Sequence, residues 1–297
     1  MRTHVLSRRA ATAAAAVLAV LAAGLAIPAT PAAASLSGVY EETADSLKNS
    51  DPSKTAVATC PDDTAVVGSF ASVVGGDGSV SIAQIEPDLS AGTVTVTAKE
   101  TDTFADDWLV TARALCAPEP SGLVRVHRIS KTNSDAKALY PECPSGKTVL
   151  SIGWNVEQGG GEVLVNEVNL FTHGGTAATS GVVSAHEDGN YTGDWTLHAF
   201  LLCADPIAGQ ELESEFTSSN SIDEPKAMWA ECWNGRTATG GAAMAVSLNA
   251  ATQTELAVDT VYAESIYGGT LNSFQAVAYE EDAIGDDWYL WVIAICT

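Results

Sequence analysis

The chain has 297 residues and carries 37 Asp and Glu against 14 Lys and Arg, a formal net charge of -23. Such a surface repels phosphate backbones and anionic headgroups, so the charge balance argues against nucleic-acid binding and against electrostatic docking on membranes. Its hydrophobic content of 46% is well above that of an acidic disordered chain and predicts a folded product.

The first predicted element is a leader. Arg2, Arg8 and Arg9 precede an Ala-rich apolar run from Ala10 to Ile27, and Ala32-Ala33-Ala34 before Ser35 fits a small-x-small cleavage site. Residues 1–34 read as a secretory signal peptide, similar to the leaders of high-GC Gram-positive bacteria. Its removal takes away Arg2, Arg8 and Arg9, leaving 11 basic against 37 acidic side chains and a net charge of -26. Ser7-Arg8-Arg9 offers a twin-arginine pair, but Ala10 and Ala11 follow it, and six cysteines favour the general secretory route, in which disulfides form after unfolded export. No later apolar stretch approaches the roughly 20 residues needed to span a bilayer. The mature product is expected to be secreted and extracellular.

The remainder is a triplication. Aligning the cysteines divides it into copies of about 86 residues, assigned as 35–122, 123–209 and 210–297. Each has an Asn-Ser pair (Asn49-Ser50, Asn133-Ser134, Asn220-Ser221) and a lysine six residues before a cysteine (Lys54 and Cys60, Lys137 and Cys143, Lys226 and Cys232). Each ends on Asp-Trp followed, eight residues after the tryptophan, by a second cysteine: Asp107-Trp108 to Cys116, Asp194-Trp195 to Cys203, Asp287-Trp288 to Cys296.

These closing segments have the period of a strand. Trp195, Leu197, Ala199, Leu201 and Cys203 share one face, as do Trp108 to Cys116 and Trp288 to Cys296, so tryptophan and cysteine point together into a core. The opposite face is mixed in the first copy but apolar in the third, at Tyr289, Trp291, Ile293 and Ile295. Further strands are predicted over 65–74, 80–86 and 93–100 in the first copy and over 148–157, 163–171 and 181–186 in the second, bounded by Gly-rich turns, with a leading strand over 123–130. Segment 39–47 is the best helical candidate. The expected fold is all-β, with about five antiparallel strands per copy.

Six cysteines allow fifteen pairings, of which threefold symmetry leaves two. Either the pairs lie within copies (Cys60–Cys116, Cys143–Cys203, Cys232–Cys296) or they link neighbours (Cys116–Cys143, Cys203–Cys232, Cys60–Cys296). The first is preferred because one rule serves all copies, whereas the second makes the chain ends meet. Linkers of about six residues and the apolar outer face of the third closing strand favour three sheets about a pseudo-threefold axis, a β-prism, over three separate beads.

The Cys60-Pro61 and Cys143-Pro144 starts and the ending from Trp195 to Ala204 resemble secreted actinobacterial β-repeat domains of unassigned function. The threefold plan is similar to β-prism proteins such as vitelline membrane outer layer protein and jacalin-type lectins. The first resemblance spans the mature chain and implies no catalytic residues. The third copy departs from it with Cys232-Trp233, which predicts a different entry turn.

Catalytic signatures are sparse. No Gly-x-Ser-x-Gly occurs, and His127, His173, His186 and His198 do not recur at equivalent positions. No histidine pair has zinc-ligand spacing and no Cys-x-x-Cys is present. The candidate ligand-binding residues are the recurring Asp107-Trp108, Asp194-Trp195 and Asp287-Trp288, which would form a repeated sugar-binding or calcium loop. The competing reading, preferred here, is an Asp-initiated turn before a core tryptophan. No cofactor is expected beyond calcium at those loops, and catalytic and metal residues are assigned to none. The Gln-x-Trp signature of trefoil lectins is absent. The favoured function is a non-catalytic secreted binding or structural protein for a glycan, an envelope polymer or another exported protein, because triplication multiplies a surface. A hydrolase with paired carboxylates between copies is the alternative, followed by a protease inhibitor or toxin accessory protein.

Overall fold

The computed structural model describes residues 36–297 except 190, 222–224, 266–269 and 282, so the leader lies outside the described residues. Repeat 1 supplies β1 (Tyr40–Asp45), β2 (Ser53–Thr59), β3 (Ala65–Val74), β4 (Val80–Asp88), β5 (Thr93–Glu100) and β6 (Leu109–Ala117). Repeat 2 supplies β7 (Val124–Ile129), β8 (Lys137–Leu139), β9 (Thr148–Glu157), β10 (Val163–Phe171), β11 (Ser180–Glu187) and β12 (Thr196–Ala204). Repeat 3 supplies β13 (Glu211–Phe216), β14 (Lys226–Glu231), β15 (Ala238–Ser247), β16 (Leu256–Glu264), β17 (Ser273–Glu280) and β18 (Trp288–Cys296), with a 3-10 segment, Ala250–Glu255, inserted before β16.

The all-β, threefold expectation holds, with two corrections of detail. Among the described residues each repeat has six strands where about five were expected. Segment 39–47 is not helical: it contains β1, which pairs with β6 over Tyr40↔Cys116 to Asp45↔Thr111, as β7 pairs with β12 and β13 with β18. The mixture of exposed and half-buried residues along β1, none of them buried, suits an edge strand, and the closing strand beside it supplies hydrogen bonds that a short isolated helix would lack.

The strands form three six-stranded antiparallel sheets, in the orders β1-β6-β3-β16-β17-β14, β13-β18-β15-β10-β11-β8 and β2-β5-β4-β9-β12-β7. No sheet belongs to one repeat. Repeats 1 and 2 share a sheet joined by β4 and β9, repeats 2 and 3 share one joined by β10 and β15, and repeats 3 and 1 share one joined by β16 and β3. The sharing is cyclic, so the repeats cannot be separate beads: each would leave two half-sheets with open edges. The seams are short, paired at Gln84↔Asn155 and Ile85↔Trp154, at Glu167↔Met244, and at Val261↔Ala71. The Trp154 indole reinforces the first by donating to the Ile82 carbonyl at 3.0 Å.

The inner faces converge on one hydrophobic core containing Trp108, Trp195 and Trp288, the disulfides and the alternate aliphatic residues of every repeat. The disulfides pair within copies, Cys60–Cys116, Cys143–Cys203 and Cys232–Cys296, with Cα separations of 5.6, 5.8 and 5.4 Å. Between repeats, the central strands β3, β9 and β15 pack closely. Ser69 and Ser151 share a buried hydroxyl contact at 3.0 Å, and a Cβ placed on Gly240 would overlap the Leu150 carbonyl oxygen. Gly240→Ala is therefore expected to cost about 1–3 kcal/mol, since backbone must shift on both sides of an inter-repeat contact. A urea midpoint unchanged by this substitution would show that the contact is loose.

Candidate functional site

The residues shared by all three repeats build an internal cluster. Trp108, Trp195 and Trp288 open the closing strands and are fully buried. Their backbones form two-way bridges with Asn49, Asn133 and Asn220, and the side-chain oxygens of Asn49 and Asn220 accept hydrogen bonds from Lys54 and Lys226. The buried ammonium groups of Lys54, Lys137 and Lys226 lie 4.3, 3.4 and 4.6 Å from the ring centroids, a cation–π arrangement that explains the lysine six residues before a cysteine. Lys137 also donates to the Asn133 and Asp135 carbonyls, each at 2.7 Å. Burial pushes Lys137 and Lys226 below the usual amine range, against the nearby carboxylates of repeats 2 and 3.

The indole nitrogens complete the cluster. Trp108 Nε1 donates to Glu100 at 3.0 Å, Trp195 Nε1 to Glu187 at 2.9 Å, and Trp288 Nε1 to Glu280. These glutamates escaped the sequence reading although their signal is regular: Glu, Trp and Cys follow one another at intervals of eight in every repeat (Glu100-Trp108-Cys116, Glu187-Trp195-Cys203, Glu280-Trp288-Cys296). A polar tip that must be satisfied when an indole is buried explains the spacing.

This geometry corrects the sugar-platform reading of the three tryptophans, whose rings have no face open to a ligand. Asp107, Asp194 and Asp287 are exposed at the entry to the closing strands. Among the described residues, no group of three or more His, Cys, Asp or Glu is placed to hold a metal ion.

The third repeat's entry turn differs, as expected. All three turns close with the same bond, from the Thr64 amide to the Pro61 carbonyl, from Lys147 to Pro144 and from Arg236 to Trp233, but both central residues of the third, Asn234 and Gly235, have positive φ (61° and 76°), whereas only Gly146 does in the second and neither central residue does in the first. The third turn opens on Trp233. It is 56% exposed, and Trp229 on β14 is 49% exposed. Together they line a groove of about 250 Å³ at the prism edge where β13 meets β14, with Met228, Ser214 and the carboxylates of Glu213, Glu215 and Glu231. The lysine alignment puts Val57 and Tyr140 at the position of Trp229. On the outer face of the same repeat, Phe216, Leu248, Tyr289 and Trp291 line an apolar cleft of about 430 Å³. Ile293 and Ile295 are buried, so half of the apolar outer stripe of the closing strand is covered and half is not.

Two carboxylates of the third repeat come together at the seam of repeats 3 and 1. Asp259 is buried and held far above the usual carboxylate range, first by desolvation and then by the charge of Glu281, which accepts a hydrogen bond from Thr101. The adjoining cavity, lined by Gly75, Gly76, Asp77 and Tyr279, measures only about 40 Å³. That volume takes a water-sized group and has no room for a sugar ring.

Compared with protein-family models and with curated proteins, the chain matches none.

Proposed function

We propose that this is an exported, non-catalytic binding protein that recognises a neutral or amino-bearing glycan in the groove of Trp229 and Trp233. The observation that carries the reading is the pair of half-exposed tryptophans set beside three carboxylates. Burying indole is how the fold uses Trp108, Trp154, Trp195 and Trp288, so two indoles left in solvent at one groove are an exception that binding accounts for. Sugar rings stack on such faces, and glutamates accept hydrogen bonds from hydroxyl or amino groups. The strongly acidic surface disfavours anionic polysaccharides. Three disulfides are consistent with an oxidising, extracellular setting, and no helix among the described residues is long and apolar enough to cross a membrane.

The test is titration calorimetry of the oxidised protein with cello-, manno- and chito-oligosaccharides and with an acidic oligosaccharide. At least one neutral or amino-bearing ligand is expected to bind, with a loss of tenfold or more in Trp229→Ala and in Trp233→Ala at unchanged melting temperature. Absence of binding to every ligand, or binding indifferent to both substitutions, would overturn the reading.

A further inference from the structure

The seam of repeats 3 and 1 differs from the other two in how the chain reaches it. Short connections from β6 to β7 and from β12 to β13 tie repeat 1 to repeat 2 and repeat 2 to repeat 3, whereas the third seam brings the first and last repeats together. Noncovalent contacts close the cycle there: Val261 pairs with Ala71, the Val73 amide donates to the Thr260 hydroxyl at 3.3 Å, and Thr101 donates to Glu281. The first strand of each seam carries a bulge at the same place, between Ile82 and Gln84, Val165 and Glu167, and Val258 and Thr260. Each bulge leaves one residue outside the ladder: Ala83, Asn166 and Asp259, with 5, 5 and 3% exposure. A methyl group and an amide serve at the two tied seams, while the untied seam carries a carboxyl group.

The groups that face this carboxyl disfavour its charge. Oδ1 of Asp259 meets no hydrogen-bond donor among the described residues. Glu281, just past β17, acts on it with a charge of the same sign. Asp77, from the turn between β3 and β4, and Tyr279 of β17 line the small cavity beside it, and no basic residue does. The Tyr279 phenol is itself pushed up by burial and then by the charges of Asp259 and Asp77, so it stays neutral. Desolvation first, and Glu281 second, therefore keep Asp259 protonated well above the usual carboxylate range. Ionisation puts a buried charge with no counter-ion one residue from Thr260, which holds the Val73 amide across the seam. Opening the seam to water relieves that cost.

We propose that the seam of repeats 3 and 1 is a proton-operated latch, closed while the Asp259 carboxyl holds its proton and loosened as it ionises. An acid that titrates higher in the closed seam than in the open one makes the closed seam the form that binds the proton. The stabilisation is thus fully present below about pH 4, where the open form is also protonated, and is lost progressively as the pH rises towards the raised value of the closed form.

The test is hydrogen exchange read by mass spectrometry on the oxidised protein, comparing the native chain with Asp259→Asn at the same pH, from pH 5 to pH 9. The substitution installs the residue of repeat 2, and Asp259→Ala, which copies Ala83 of repeat 1, serves if Asp259→Asn does not fold. Peptides covering β3 and β16 are expected to exchange faster in the native protein than in the variant, with a ratio that grows about tenfold or more between pH 5 and pH 9. Peptides covering the other seams, β4 with β9 and β10 with β15, should exchange alike in the two proteins. A ratio at β3 and β16 that does not change with pH overturns the proposal. So does a pH-dependent ratio spread evenly over all three seams, which marks titration of the whole fold, and so does failure of both variants to fold, which marks a carboxyl that the fold requires.

Discussion

Trp195→Ala is expected to lose about 3–5 kcal/mol of stability from the cavity alone, the range for truncating a large buried ring. The loss should run higher because two polar groups each lose a partner. Lys137, which keeps the Asn133 and Asp135 carbonyls, loses the ring face 3.4 Å from its ammonium, and the half-buried Glu187 loses the indole donor at 2.9 Å. A hydrogen bond to a charged group contributes about 1.5–3 kcal/mol. Trp195→Phe separates the terms, since it keeps a ring for Lys137 but removes the donor, and should cost about half as much. Chemical denaturation measures both. A shift below about 1 kcal/mol for Trp195→Ala would mean that the Lys-Trp-Glu cluster does not anchor the closing strand. The same ordering is expected at Trp108 and Trp288, because the cluster is repeated there with Lys54 and Glu100 and with Lys226 and Glu280.

Removing one disulfide as Cys143→Ser with Cys203→Ser is expected to cost about 4 kcal/mol, from the chain entropy released in a loop of 60 residues. How the loss appears follows from the topology. Repeat 2 contributes half of two sheets, and its β9 and β10 form seams with repeats 1 and 3. Loosening repeat 2 must therefore loosen both neighbours, and the melt should remain a single transition at lower temperature. Two transitions, one unshifted, would show that repeats unfold as independent beads and would contradict the shared-sheet architecture.

The sequence made the closing strands legible because period two and the Trp-to-Cys spacing recur three times, and symmetry was enough to rank the cysteine pairings. Sheet sharing was not legible. Alternation tells which face of a strand is buried but says nothing of its neighbour, so β3 pairing with β16 through Ala71 and Val261, 190 residues apart in the chain, leaves no local mark. Strand β8 is only three residues long, too short for a period to register, whereas its counterparts β2 and β14 run to seven and six residues but turn Lys54, Ala56 and Ala58 or Lys226, Met228 and Ala230 inward, a face with too few bulky apolar side chains to stand out. Segment 39–47 has a composition that suits either helix or edge strand, and the pairing partner decides. For the sites, the shared motif drew attention to Asp-Trp, yet what recurs in all copies proved to be scaffold. The groove proposed for a glycan lies where copies diverge, and Trp233 showed only as a break in the Cys-Pro pattern, while Trp229 falls on an exposed strand position with no motif around it.

The central claim is that the repeats share a scaffold and that recognition resides in residues particular to the third. It is tested most directly by giving repeat 3 the residues of repeat 1, Trp229→Val with Trp233→Pro, and measuring retention on insoluble chitin, cellulose and mannan. Val57 and Pro61 occupy the aligned positions in the first repeat. The account predicts that the native protein is retained on at least one matrix and that the double variant elutes unretained with its melting temperature unchanged. Equal retention of the two proteins would contradict it.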